Sequence, residues 1–215
     1  MNILYIDTSS SYLYTGIVCN GKLLASIKKK FDKEMSKYAV AEIKKMFDST
    51  NLKPGNIDKI IVVNGPGSFT GIRIGMTFAK VFAFSLKKEI TVISSLEAMG
   101  ISINSDELLV PVINARRGYV YAGIYKNGVS IFDNQYINFD NLLEKLGELQ
   151  EKYTFIVGDD TSEYYHGEKY DPDILRIVNF FEKRKPINPH LVEPNYLKLT
   201  EAEENLGSIL YDSGN

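Results

Sequence analysis

The chain repeats itself, and the repeat limits the folds open to it. Residues 7–21 read Asp7-Thr8-Ser9-Ser10-Ser11-Tyr12-Leu13-Tyr14-Thr15-Gly16-Ile17-Val18-Cys19-Asn20-Gly21; residues 114–128 read Asn114-Ala115-Arg116-Arg117-Gly118-Tyr119-Val120-Tyr121-Ala122-Gly123-Ile124-Tyr125-Lys126-Asn127-Gly128. Without a gap, Tyr12 aligns with Tyr119, Tyr14 with Tyr121, Gly16 with Gly123, Ile17 with Ile124, and the two Asn-Gly pairs with each other. Each stretch follows an apolar run, at 3–6 and 109–113, and ends in Asn-Gly, a pair that tolerates the positive φ of a type I′ hairpin turn. Third strands are expected at 22–27 and 129–132.

The parallel continues beyond the hairpins. Ala39, Ile43 and Met46 form an amphipathic stripe over 35–47, predicting a helix. A strand at 59–63 and a helix from Thr70 to about Lys87 follow. In the second stretch Asp140 is expected to cap a helix reaching about Glu151, before a strand at 153–157 and a helix at 173–184. A strand at 89–93 is expected to bridge the halves. Ser94 then opens a short helix with Glu97 three residues on, the spacing of a capping box. Each half thus reads β-β-β-α-β-α, split at 103/104, with residues 201–215 expected to pack back on the first half. Duplication of that unit is the α/β organisation of the ribonuclease-H-like fold of actin, sugar kinases and Hsp70-type ATPases.

Between the strand at 59–63 and the next helix lies Gly65-Pro66-Gly67-Ser68-Phe69-Thr70-Gly71-Ile72-Arg73-Ile74-Gly75. No Lys follows Gly71, so this is not a P-loop, and Thr70 stands where a dinucleotide fingerprint needs its last glycine. A tight strand-to-helix turn remains. The helix behind it is apolar around most of its circumference, interrupted by Arg73, Thr77 and Lys80, so it is neither a membrane span nor an ordinary one-faced surface helix. Gly71, Gly75 and Ala79 recur at i, i+4, i+8 and leave a groove that another helix could enter. Two covers are open to it: a partner chain, or the chain's own helix at 36–48 together with the C-terminal tail.

Composition narrows the function. A net charge of −2 supplies no global field for nucleic acid. The single cysteine, Cys19, excludes an internal disulfide, fits the reducing cytoplasm, and is expected to be a buried thiol. The start Met1-Asn2-Ile3-Leu4 lacks the basic n-region of a signal peptide. The two histidines, His166 and His190, are too far apart in sequence for a paired-His metal site, and no metal site is expected. Pro66 and Thr70 stand where a nucleophile elbow centred on Ser68 needs glycines, so no catalytic residue is assigned. Asp7-Thr8-Ser9 sits where ATPases of this fold carry an Asp-led phosphate hairpin. The opposite hairpin, 114–118, holds two arginines and no carboxylate, so Asp7 reads as a remnant that caps its own turn.

The string Gly65–Gly75 resembles the signature of the TsaB (YeaZ) family, the paralogue of TsaD in bacterial threonylcarbamoyladenosine synthesis on tRNA. Four satellites support the resemblance: the opening Ile3–Ser9, Ser94-Ser95-Leu96-Glu97-Ala98, Asn114–Tyr121, and Pro194-Asn195-Tyr196-Leu197-Lys198 near the C-terminus. Met35, Asn114 and Lys198 depart from the family's usual His, Asp and Arg. The resemblance implies a non-catalytic cytoplasmic subunit that docks TsaD through its first two long helices, works with TsaE, forms a homodimer when TsaD is absent, touches tRNA only indirectly, and contacts no membrane. The interface residues it implies here are Ala39, Ile43, Met46, Gly71, Gly75, Phe78, Ala79 and Phe82. Arg73 and Lys80 are the candidates for contact with ATP or ADP at that interface, and no cofactor is expected to be held tightly by the chain alone. The alternative is a stand-alone ATPase, kinase-like enzyme or peptidase of the same fold.

Overall fold

Alternation and continuous burial build two matching sheets. The structure, a computed structural model, describes residues 1–162 and 165–198, without the side chains of Asp159 and Asp160. Strands β1 (Asn2–Asp7), β2 (Tyr12–Cys19) and β3 (Lys22–Lys30) form an antiparallel meander. Helix α1 (Met35–Asp48) leads to β4 (Lys59–Val63), which joins β1 in parallel. Helix α2 (Phe69–Leu86) leads to β5 (Glu89–Ile93), parallel to β4, and then to α3 (Ser95–Gly100). The second half repeats this with β6 (Leu108–Asn114), β7 (Tyr119–Lys126), β8 (Val129–Asn138), α4 (Phe139–Leu149), β9 (Tyr153–Val157), α5 (Asp159–Ser162), β10 (Glu168–Lys169) and α6 (Ile174–Phe181). The strand orders are β3-β2-β1-β4-β5 and β8-β7-β6-β9-β10, which is the duplicated ribonuclease-H-like arrangement.

Both hairpins turn as expected. Asn20 and Gly21 have φ of 47° and 73°, Asn127 and Gly128 of 52° and 78°. Ser94 and Glu97 close the capping box on α3. Some expectations need correction. β5 does not bridge the halves; it is the fifth strand of the first sheet, because Ile90, Thr91 and Ile93 are buried beside β4. Its counterpart β10 has only two residues. β8 runs on to Asn138, and Asn138, not Asp140, caps α4 by accepting from the Asp140 N–H at 2.9 Å. Cys19 is only partly buried, since it is the last residue of β2.

The core has a layered logic. Along β1, Leu4 and Ile6 face α1 and α2, while Ile3 and Tyr5 face the other way. That second face is covered by α6: Ile174, Ile177, Val178 and Phe181 pack on Tyr5, Tyr14, Ile61 and Val63. A helix expected to complete the second half therefore closes the first sheet. The second sheet rests one face on α4 and turns the other toward α3, where Leu96 and Met99 meet Leu109, Tyr125 and Ile156. Residues 201–215 lie outside the described residues.

Candidate functional site: the cleft between the halves and the outer face of α2

The glycine bend is locked to the β1–β2 hairpin. Ser68 caps α2, accepting from the Gly71 N–H at 3.2 Å, and its own N–H donates to the Ser9 carbonyl at 2.7 Å. A Cβ at Gly67, where φ is 150°, would stand 2.2 Å from the Ser9 carbonyl oxygen. At Gly71 it would stand 2.1 Å from the Thr8 carbonyl oxygen, and at Gly75 2.3 Å from Thr8 Oγ1. Thr8 Oγ1 donates to the Gly71 carbonyl at 2.7 Å. The small-residue stripe does admit a close neighbour, but that neighbour is Thr8 of the same chain.

Asp7 lies beneath this contact, 1% exposed. Its Oδ1 accepts from the Ser9 N–H at 2.8 Å and from Ser9 Oγ at 2.7 Å. Burial pushes its carboxyl above the ordinary aspartate range, and the Ser9 bonds only partly oppose this. A carboxyl whose pKa is raised by folding stabilises the fold fully below its unfolded pKa and loses that contribution as pH rises through the folded value. Asp7→Asn keeps an acceptor for Ser9 without the charge. It is expected to melt higher than the parent at neutral pH, with the gap closing below about pH 4; thermal melts across pH test this, and a pH-independent difference would refute it.

In front of Asp7 a cavity of about 390 Å³ opens between Ser9, Ser10, Ser68, Asn114, Arg116 and Thr161. The second-half side of the cleft is held by Thr161, whose Oγ1 accepts from the Asn114 N–H at 3.2 Å, and by Asn114 Oδ1, which accepts from the Arg116 N–H at 2.8 Å. Among the described residues no group of three His, Cys, Asp or Glu side chains gathers for a metal.

Another concavity lies on the outer face of α2. Val40, Phe69, Arg73, Ile74, Phe78 and Val81 line a groove of about 560 Å³. Val40 is 52% exposed, Phe69 51% and Val81 62%. By length and composition alone α2 could cross a membrane, but here its inner side packs on the first sheet. The expected interface residues fall mostly elsewhere. Ala39, Ile43, Met46, Ala79 and Phe82 are buried in the chain's own core, and Gly71 and Gly75 are filled by Thr8. Phe78 opens onto the groove, and Ile43 and Phe82 floor a second depression between α1 and α2. The groove also takes Val40, Phe69, Ile74 and Val81, which are not among the expected interface residues. Ile74 and Val81 do carry a signal, since they lie opposite Ile72, Met76 and Ala83 on the helical wheel, on the part of the apolar circumference that one sheet cannot cover; Val40 stands on α1 and Phe69 is the first residue of α2.

Arg73 and Lys80 are occupied by the chain's own C-terminal segment. Arg73 lies 3.7 Å over the Phe69 ring and its Nε donates to the Tyr196 hydroxyl at 3.0 Å; Lys80 Nζ donates to the Val192 carbonyl at 3.0 Å. Phe69 also stacks on Tyr196.

This geometry has relatives. A Bacillus subtilis protein named tRNA threonylcarbamoyladenosine biosynthesis protein TsaB is 33% identical over 94% of this chain and 96% of its own length. The chain belongs to the TsaB family. The family model described as TsaD, tRNA N6-adenosine threonylcarbamoyltransferase, matches residues 28–164, as befits a paralogue. The TsaB of Buchnera aphidicola is 29% identical over 73% of this chain and 78% of its own length. Among solved structures, a Pseudomonas aeruginosa protein described as similar to peptidase YeaZ superposes with a TM-score of 0.78 at 19% identity, covering 92% of this chain and 99% of the other. That likeness shows the TsaB fold. Family membership places the chain in tRNA threonylcarbamoyladenosine biosynthesis.

Proposed function

We propose that this chain is the non-catalytic subunit of a threonylcarbamoyl-transferring assembly, and that its α2 groove docks a TsaD-type partner. The observation that carries this is the exposed apolar pair Phe69 and Val81 on α2, a helix whose inner side is already packed, with the half-buried Phe78 and the exposed Val40 of α1 beside them. A patch of this kind, rimmed by Arg73 and Thr77, is what a protein–protein interface buries at its centre. The cleft gives less support to independent catalysis: Asp7 is committed to Ser9, and the facing loop carries Arg116 and Arg117 but no carboxylate. TsaE, and ATP or ADP, join at the assembled complex, and the same groove pairs two copies when the partner is missing.

Val81→Asp puts a charge in the groove without disturbing the core. It is expected to lower the affinity for the cognate TsaD-type protein at least tenfold, read by size-exclusion chromatography and titration calorimetry. Ile131→Asp, on exposed β8, should leave complex formation unchanged. Undiminished binding by Val81→Asp, or ATP turnover by the chain alone, would contradict the proposal.

A further inference from the structure

The two hairpins that face each other across the cleft have diverged in a way the docking groove does not use. In the first half, Ser9-Ser10-Ser11 is folded under the glycine bend. At the equivalent positions the second half carries Arg116-Arg117-Gly118, all exposed and all with positive φ, at 67°, 54° and 78°. Left-handed backbone suits glycine or asparagine far better than arginine, so the local fold does not select these side chains. Beside them Tyr119 and Tyr136 stack at 4.7 Å with an interplanar angle of 8°, and Tyr121 tilts against Tyr136 at 5.7 Å. Tyr119 is 37% exposed. Lys198 Nζ lies 5.2 Å from the Tyr136 ring centre. Among the described residues none of Arg116, Arg117 and Lys198 is in an ion pair; the flanking Asp133 and Asp140 pair with none of them.

We propose that this patch on β7 and β8, Tyr119 and Tyr136 ringed by Arg116, Arg117 and Lys198, binds single-stranded RNA. Parallel aromatic rings at a surface offer a stacking platform for unpaired bases, and unpaired cations beside them take the phosphates. Three such cations on a chain of net charge −2 mark a local preference for an anion that the chain as a whole does not share. An acidic protein segment would satisfy the cations but leave the ring face unused; RNA satisfies both. The patch belongs to β7 and β8 and the docking row to α2; the two approach each other at Phe69, which lines the cleft with Arg116 and Tyr121.

The test is fluorescence anisotropy of the full chain with a labelled, unstructured oligoribonucleotide of about a dozen nucleotides, across a range of salt. Binding should weaken steeply with salt. Arg116→Gly/Arg117→Gly relieves the left-handed strain, so the variant folds at least as well as the parent. It should lose at least tenfold in affinity, and its salt slope should fall by about 1.4, about 0.7 per phosphate contact. Tyr119→Leu should lose roughly tenfold with the slope unchanged. An RNA duplex of equal length should bind more weakly than the single strand. Absent binding by the parent, an undiminished Arg116→Gly/Arg117→Gly variant, or equal binding of duplex would each overturn the assignment. These variants should still form the partner complex, and Val81→Asp should still bind RNA, so the two proposals fail separately.

Discussion

Gly71→Ala is expected to cost about 3 kcal/mol of stability, roughly a 10 °C drop in melting temperature for a chain of this size. The added methyl would stand 2.1 Å from the Thr8 carbonyl oxygen, and a backbone atom at the end of a buried central strand cannot retreat without breaking the β1 ladder. Gly75→Ala meets a different atom, Thr8 Oγ1 at 2.3 Å. Adding Thr8→Ala should therefore recover much of the loss at Gly75 and none of the loss at Gly71. Gly147→Ala in α4 has open space around it and should stabilise by about 0.5–1 kcal/mol. Thermal and urea unfolding of the set decides the matter. A Gly71→Ala protein that melts with the parent would mean that hairpin and helix are not locked together as described.

The second large effect is expected at Glu97. One Oε accepts from the Ser94 N–H at 2.7 Å to complete the α3 cap, and the carboxylate receives Arg184 through Nη2 at 2.6 Å and Nη1 at 3.1 Å. Arg184 also donates to the Val92 carbonyl at 3.2 Å and lies over the Phe181 ring. Its backbone carbonyl and that of Glu182 each accept from Lys59 Nζ at 2.7 Å. One carboxylate thus ties the segment after α6 to α3 and the edge of the first sheet. Glu97→Ala should lose about 2–3 kcal/mol, the cap and the paired guanidinium together. Glu97→Gln keeps an acceptor for the cap and should lose about 1 kcal/mol. Because the pair is partly exposed, the loss in Glu97→Ala should shrink as salt is added. A loss that salt does not touch would assign the effect to the cap alone.

Period-two alternation, Asn-Gly pairs and the Ser94–Glu97 spacing act within a few residues, and those elements were legible. What the sequence left open is which surfaces meet. Gly71, Gly75 and Ala79 announce close approach but not whose atoms approach; Thr8, sixty-odd positions earlier, answers only once β1 and β4 are paired. The α6 stripe of Ile174, Ile177, Val178 and Phe181 predicts burial equally well against either sheet. Val81 reads as an ordinary member of an apolar circumference, because one-dimensional periodicity does not tell the packed side from the bare one, and nothing local brings Val40 of α1 and Phe69 to its side. The cations at Arg73 and Lys80 look free until Val192 and Tyr196 are placed beside them.

The placement of α6 bears on how the molecule is made. A ribosome releases the strands of the first sheet early, yet Ile3, Tyr5, Tyr14 and Val63 keep a bare oily surface until Phe181 has been translated. The N-terminal portion therefore cannot mature as an independent co-translational unit, as sequential domains commonly do. It waits, half clothed, until α6 has been made.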